Sequence, residues 1–221
     1  MTKLGPYELN TIVTGDAREL AKAIPDESVD LIFTDPVYQN IDDYRWLAET
    51  AARVLKPDRA CLVWVPTPMV PEIINAMIPP LTWAWMLYWQ RHGHMAPGRA
   101  GITVITPCLW FEKGRSKAYT RMADWFATCN AGPSARQHRW GKPHNLTLKW
   151  INALTQCGFV VVDFFGGSGV VPWACKMLGR NYLAFEIDPD TAQMARERVA
   201  NTQPPLFVPQ PEQSKMEIAN G

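Results

Sequence analysis

Residues 160–169 read VVVDFFGGSG. A short β-branched run ends in Asp163, a glycine-rich turn follows, and residues 170–178 carry an apolar helical pattern that Gly179 closes. Gly167 and Gly169 admit positive φ and let a ligand approach the backbone closely. A strand, a tight turn and a helix in immediate succession belong to a layered α/β fold. The spacing is not the G-x-G-x-x-G of dinucleotide sites, and no Gly-Lys-Ser/Thr follows as in a P-loop.

The rest of the chain alternates in the same way. Residues 29–34 (VDLIFT), 60–65 (ACLVWV) and 182–187 (YLAFEI) read as buried strands, and residues 81–89 and 102–111 as a strand pair. Between them, Tyr44, Leu47, Ala48, Ala51 and Leu55 share one helical face, residues 68–78 form a short helix, and Leu146, Trp150, Leu154 and Cys157 share another face. Pro143 suits the first turn of that last helix and Gly158 its stop. Asp188 caps a final helix with Pro189 at its first position, running to about Ala200. Residues 90–101 read as a loop and residues 113–137 as irregular. Strands separated by helices predict a mostly parallel sheet covered on both faces. One domain spans residues 1–203, and residues 204–221, rich in proline, read as a disordered tail.

A second acid, Glu186, ends the strand after the glycine turn, 23 residues beyond Asp163. An acid there is placed to hold ribose hydroxyls, so the pair implies an adenosine-type cofactor. No run approaches the length of a membrane span and the first twenty residues lack a secretory apolar core, which argues for a cytoplasmic protein and against a membrane one. The five cysteines form no C-x-x-C pair and read as reduced thiols. No metal cluster is legible: His92 and His94 flank Gly93 with no third ligand nearby. Net charge is +1, yet residues 16–58 carry ten acids and five bases, while residues 86–149 carry ten bases and two acids. A basic stretch in a neutral chain suggests a polyanion-facing surface. Most of the ten tryptophans, including Trp83, Trp85, Trp89 and Trp110, read as core, whereas Trp125 and Trp140 lie on the basic stretch.

The sequence Thr34-Asp35-Pro36-Val37-Tyr38 directly follows the strand at residues 29–33. Asp35 and the Pro36 carbonyl are hydrogen-bond acceptors, and Tyr38 offers a stacking face, which together suit an exocyclic amine on a flat base. Taken alone, Asp-Pro also makes an ordinary strand-ending turn.

In context, the run from Thr14-Gly15-Asp16-Ala17 to Tyr38 resembles the opening of the beta-class DNA amino-methyltransferases, with their D-P-P-Y or S-P-P-Y motif. His138 … Lys142-Pro143 resembles that family's H-x-x-x-K-P helix start, and residues 163–169 its D-P-F-x-G-S-G loop. Residues 176–180, 186–189 and 195–198 resemble the stretch beyond, so the likeness covers about residues 10–200. The resemblance implies a Rossmann-like class I methyltransferase fold with circularly permuted motif order and S-adenosylmethionine as cofactor. It implies methylation of adenine N6 in double-stranded DNA by base flipping, with Asp35, Pro36 and Tyr38 as catalytic residues. Cofactor contacts would fall to Asp16, Ala17, Lys142, Pro143, Asp163, Phe165, Gly167, Ser168, Gly169 and Glu186, with Lys142 and Pro143 near the methionine end.

DNA contacts are expected from Arg91 and Arg99 and from a small basic insert with Lys113, Arg115, Lys117, Arg121, Arg136 and Arg139. Because the insert is short, a homodimer would help cover the site; a restriction partner is not legible. Three departures stand out: Val37 replaces the second proline of the motif, Phe164 the proline after Asp163, and Val170 a usual threonine. The alternatives are a cytosine-N4 enzyme, against which Asp35 weighs, a DNA-binding pseudoenzyme disabled at Val37, and transfer to an RNA base or a protein amide.

Overall fold

The computed structural model describes residues 2–38, 40–91, 96–98, 101–128 and 142–204, with only the backbone at residues 91, 96, 97 and 128. In chain order the elements are β1 (Lys3–Leu4), β2 (Tyr7–Glu8), β3 (Thr11–Thr14), α1 (Ala17–Leu20), β4 (Val29–Thr34), α2 (Ile41–Val54), β5 (Leu55–Trp64) and α3 (Val70–Met77). They continue with β6 (Thr82–Arg91), β7 (Ala96–Gly98), β8 (Gly101–Thr103), β9 (Ile105–Lys113), β10 (Trp125–Thr128), α4 (His144–Leu154), β11 (Val160–Asp163), α5 (Val170–Leu178), β12 (Asn181–Glu186) and α6 (Pro189–Ala200).

Eight strands form one sheet in the order β10-β6-β9-β5-β4-β11-β12-β3. Every pairing is parallel except those of β9, which runs against both β5 and β6. The central strands β4 and β11 are buried at every position, because a strand covered on both faces has no polar side to alternate with. Within β4, Val29 and Ile32 join a layer with Leu47 and Ala51 of α2 and Ile73 of α3. Leu31 and Phe33 join the opposite layer with Trp150 of α4, Cys175 of α5 and Ala195 of α6. This is the mostly parallel sheet with helices on both faces that the pattern predicts, in the Rossmann-like arrangement that the resemblance implies.

The topology places a crevice between β4 and β11. From β4 the chain passes through α2 to β5 on one side; from β11 it passes through α5 to β12 on the other. Helices leaving adjacent strands toward opposite faces leave a gap at the carboxyl ends of those strands. Both motif loops, residues 35–38 and 164–169, open into that gap.

Several local expectations are corrected. Residues 90–101 are not all loop: β6 runs to Arg91, and β7 pairs with β8 as a small hairpin. Inside the irregular basic stretch, β10 pairs with β6, a non-local contact that no local periodicity announces. The short edge strand β3 and the β1–β2 hairpin also went unread. Helix α4 stops at Leu154, not Cys157, because the buried Thr155 breaks out to φ −137° and Cys157 is exposed. There the buried Arg180 closes the helix end, donating from Nη2 to the Thr155 carbonyl at 2.9 Å and to Asn152 Oδ1 at 3.1 Å. Trp83 and Trp85 are 42% and 55% exposed, not core, because β6 lies next to the sheet edge. Cys61, Cys108 and Cys175 are free and buried as expected. Cys129, Trp140 and the tail at 205–221 fall outside the described residues. Among the described residues no helix is long and apolar enough to cross a membrane.

Candidate active site

The two motif loops are tied together at their roots. Thr34 Oγ1, at the tip of β4, donates to Asp163 Oδ1 at 2.8 Å, and the Phe165 N–H donates into the same pair at 3.1 Å. Asp163 is wholly buried, and desolvation outweighs these hydrogen bonds, raising its carboxyl from 3.8 to about 7. The native state therefore holds this proton more tightly than the unfolded chain, so stability falls as pH rises from about 4 through about 7. Asp163→Asn keeps an acceptor for Thr34 and should flatten that part of the pH–Tm profile; an unchanged slope would show that the carboxyl is not the source.

The glycine loop is shaped by its neighbours. The Gly166 N–H donates to the Phe185 carbonyl at 2.7 Å. Gly167 takes φ +47°, and its N–H donates to Glu186 Oε2 at 2.7 Å. Gly169 takes φ +75°, and a Cβ there would lie 3.0 Å from the Ala195 Cβ of α6, so the close crossing of loop and helix requires glycine. Glu186 Oε1 also accepts the Asp188 N–H at 2.9 Å. One carboxylate thus fixes the loop after β11 and the turn after β12. Ser168 Oγ accepts from Arg198 of α6 at 3.2 Å.

On the other side of the crevice, Lys142 Nζ donates to Asp35 Oδ2 and to the Tyr38 hydroxyl, each at 2.6 Å. The ammonium also lies 5.1 Å from the ring centroids of Tyr38 and Trp64. Asp35 Oδ1 is buried and has no hydrogen-bond partner among the described residues. Pro36 is buried, while Val37 is 66% exposed. The Lys142 ammonium holds Asp35 and Tyr38 in mutual register across the position where the second proline is missing. Val37 therefore alters a solvent-facing position rather than the polar pair on either side.

A cavity of about 350 Å³ joins the two sides. Its walls include Asp35, Val37, Trp64, Lys142, Asp163, Phe165, Gly167, Ser168, Glu186 and Thr191. Of the expected cofactor residues, Lys142, Asp163, Phe165, Gly167, Ser168 and Glu186 converge on it. Gly169 stands behind the loop as the cap of α5. Asp16 lies beside the rim rather than in the wall: it caps α1, and the neighbouring Gly15 N–H donates to the Glu186 carbonyl at 2.9 Å. Ala17 is a buried member of the apolar layer, and Pro143 caps α4, so neither lines the cavity. Trp64 and Thr147 are wall residues that the motifs did not reveal, and Thr34, which opens the acceptor motif, is a wall residue to which the motif gave no role. For Trp64 and Thr34 a signal existed: each ends a buried strand at the rim where open α/β sheets bind ligands.

The expected DNA contacts divide differently. β9 runs antiparallel to β5, with Cys108 opposite Trp64 at the cavity end and Lys113 opposite Arg59 at the far end. Lys113 is engaged there by Glu27 at 3.0 Å, the Arg115 N–H donates to Asp58, and Lys117 lies over Tyr119, whose ring packs on Phe159 before β11. These three residues thus sit at the opposite end of the sheet from Asp35. Arg121 is exposed between that end and β10. Arg91 ends β6 at the edge of the sheet where the carboxyl ends of β4 and β5 also lie, opposite Thr128 of β10. Trp125 is 52% exposed and donates to Gln90 at 3.2 Å. Arg99, Arg136, His138 and Arg139, with His92 and His94, lie outside the described residues.

Known proteins share stretches of this sequence and this fold. A family model described as DNA methylase, of the N6/N4 type, matches residues 108–197, and a methyltransferase-domain model matches residues 2–63. The type II methyltransferase M.BamHI of Bacillus amyloliquefaciens is 25% identical over 258 residues, covering 90% of this chain. This chain spans 60% of the length of that relative. Among solved structures, the M1.HpyAVI–SAM complex superposes with a TM-score of 0.75 at 24% identity, covering 87% of this chain and 99% of the other. The cytosine-N4-specific PvuII DNA methyltransferase superposes at 0.71 with 18% identity, covering 86% and 89%. The fold is that of the class I methyltransferases.

Proposed function

We propose that this chain, which carries a DNA-methylase domain of the N6/N4 type at residues 108–197, transfers a methyl group from S-adenosylmethionine to the exocyclic amine of a base in double-stranded DNA. The target we favour is adenine N6. One observation carries the reading: Asp35, with its unpaired Oδ1, and the Gly167–Glu186 cradle are walls of the same cavity.

The residues present suit the cofactor. The cavity volume falls in the range of small-ligand sites. The Gly167 Cβ direction is open apart from a Phe165 carbonyl 3.9 Å away, so a side chain there would project into free space that the glycine leaves to a ligand. Glu186 stands at the strand tip suited to ribose hydroxyls, and Phe165 and Ile187 supply apolar wall. The bound cofactor supplies an activated methyl group on a sulfonium.

The protein's own work is on the acceptor. An exocyclic amine is a weak nucleophile because its lone pair is delocalised into the ring. Asp35 Oδ1 and the Pro36 carbonyl would accept its two N–H groups, favour a tetrahedral nitrogen and offset the positive charge that grows on it. Tyr38 would stack on the extruded base, since the amine is out of reach inside a duplex. Holding both reactants in one crevice supplies the in-line approach. Asp35, in the place where serine is more usual in cytosine-N4 enzymes, supports adenine over cytosine.

Incubation with labelled S-adenosylmethionine and mixed-sequence duplex DNA, followed by nucleoside analysis, tests the reading. N6-methyladenine is the expected product. N4-methylcytosine would move the target to cytosine, and label in neither base would overturn the proposal.

A further inference from the structure

Lys142 belongs to a helix start whose family likeness places it near the methionine end of the cofactor. Its ammonium instead spends its hydrogen bonds on Asp35 and Tyr38, 107 and 104 residues away in sequence. An ammonium has three N–H donors. Two are used there, and the third has no acceptor among the described residues. Beside it, Asp35 Oδ1 is a buried acceptor with no donor among the described residues. Leaving the buried Oδ1 unmatched is costly unless a ligand completes it, and the ammonium keeps a donor for the same ligand. One unmatched donor and one unmatched acceptor on a single ion pair, next to the Tyr38 ring, present the complement of an amidine edge: an amine N–H adjacent to a ring nitrogen lone pair.

We propose that Lys142 is a binding residue for the target base, donating to the ring nitrogen next to the methylated amine while Asp35 accepts from the amine itself. This deepens the function proposed above and rests on it. Adenine presents that edge as N6 and N1, cytosine as N4 and N3. A lone ammonium would draw electron density from the amine. Here its charge is compensated by the carboxylate 2.6 Å away, so the lysine reads the ring without leaving a net cation beside the nucleophile. Lys142 is also largely withdrawn from solvent, at 12% side-chain exposure, while Asp35 is partly exposed at 33% with its Oδ1 buried, which strengthens discrimination by the lysine.

The test uses the full chain and a duplex bearing the sequence it methylates, with the target adenine replaced by 1-deazaadenine, or the target cytosine by 3-deazacytosine. The analogue keeps the amine and puts C–H in place of the ring acceptor. Wild type should lose about tenfold to a hundredfold in kcat/KM on the analogue, mostly through KM, whereas Lys142→Met should lose less than about twofold. Lys142→Arg, which keeps a donor, should restore part of the discrimination. S-adenosylmethionine affinity without DNA, read by calorimetry, should be the same for wild type and Lys142→Met, which also reports that the variant is folded. Equal analogue penalties in wild type and Lys142→Met would overturn the assignment, as would a tenfold loss of cofactor affinity. Absence of transfer by wild type to natural DNA is a separate result, and it would sink the parent reading and this one together.

Discussion

Asp35→Ala is expected to lower the rate of methyl transfer by about 10²–10³-fold while leaving cofactor affinity within about threefold. The substitution deletes the buried Oδ1 that has no partner among the described residues and would face the charge developing on the amine. It also strips Lys142 of its carboxylate, leaving a side chain of 12% exposure as an uncompensated cation beside the nucleophile. Both changes act on the reacting nitrogen, so the loss should appear in kcat. Asp35→Asn retains an acceptor oxygen but not the charge, and should fall between the alanine variant and wild type. Single-turnover transfer, with cofactor binding measured alongside, checks this. Alanine activity within tenfold of wild type would remove Asp35 from the chemistry.

Glu186→Ala should do the reverse, weakening S-adenosylmethionine binding by about 10²-fold and sparing the rate at saturating cofactor. The Glu186 carboxylate accepts the Gly167 N–H at 2.7 Å and the Asp188 N–H at 2.9 Å, so its loss frees two loops as well as a ribose acceptor. Glu186→Gln keeps an oxygen for one N–H and should recover part of the affinity. Calorimetric titration with the cofactor, without DNA, separates this effect from events at the base. A kcat loss at saturation as large as that of Asp35→Ala would mean that Glu186 acts on the acceptor side instead. The two variants together test whether the crevice has a donor half and an acceptor half.

The legibility of this chain follows the range of the interactions involved. The turn VDFFGGSGV could be read locally because its conformation is set by glycines at positive φ and by the capping of α5, both encoded within a few residues. The same holds for α6, where the Asp188 side chain accepts the Thr191 N–H and Pro189 opens the helix. β10 and β3 were missed because each has four residues and gains its strand character from pairing with β6 and β12. The position of Lys113, Arg115 and Lys117 in the fold was not legible for a related reason. Their charge could be read, but which end of the sheet they occupy depends on the direction of β9. Reading residues 81–89 and 102–111 as a pair joined by a loop was compatible with that reversal; what fixed the end was the parallel alignment of the rest of the sheet.

The sequence alone therefore settled the alternation of strands and helices, the glycine turn, the acid at the tip of β12 and the acceptor motif after β4. Each is a local preference of backbone conformation or burial. Only the tertiary structure decided what stands beside what: Thr34 bonded to Asp163 across 129 residues, Lys142 inserted between Asp35 and Tyr38, and three basic residues carried to the far end. Those outcomes follow from strand order and direction, which depend on which apolar faces are buried together across the whole chain.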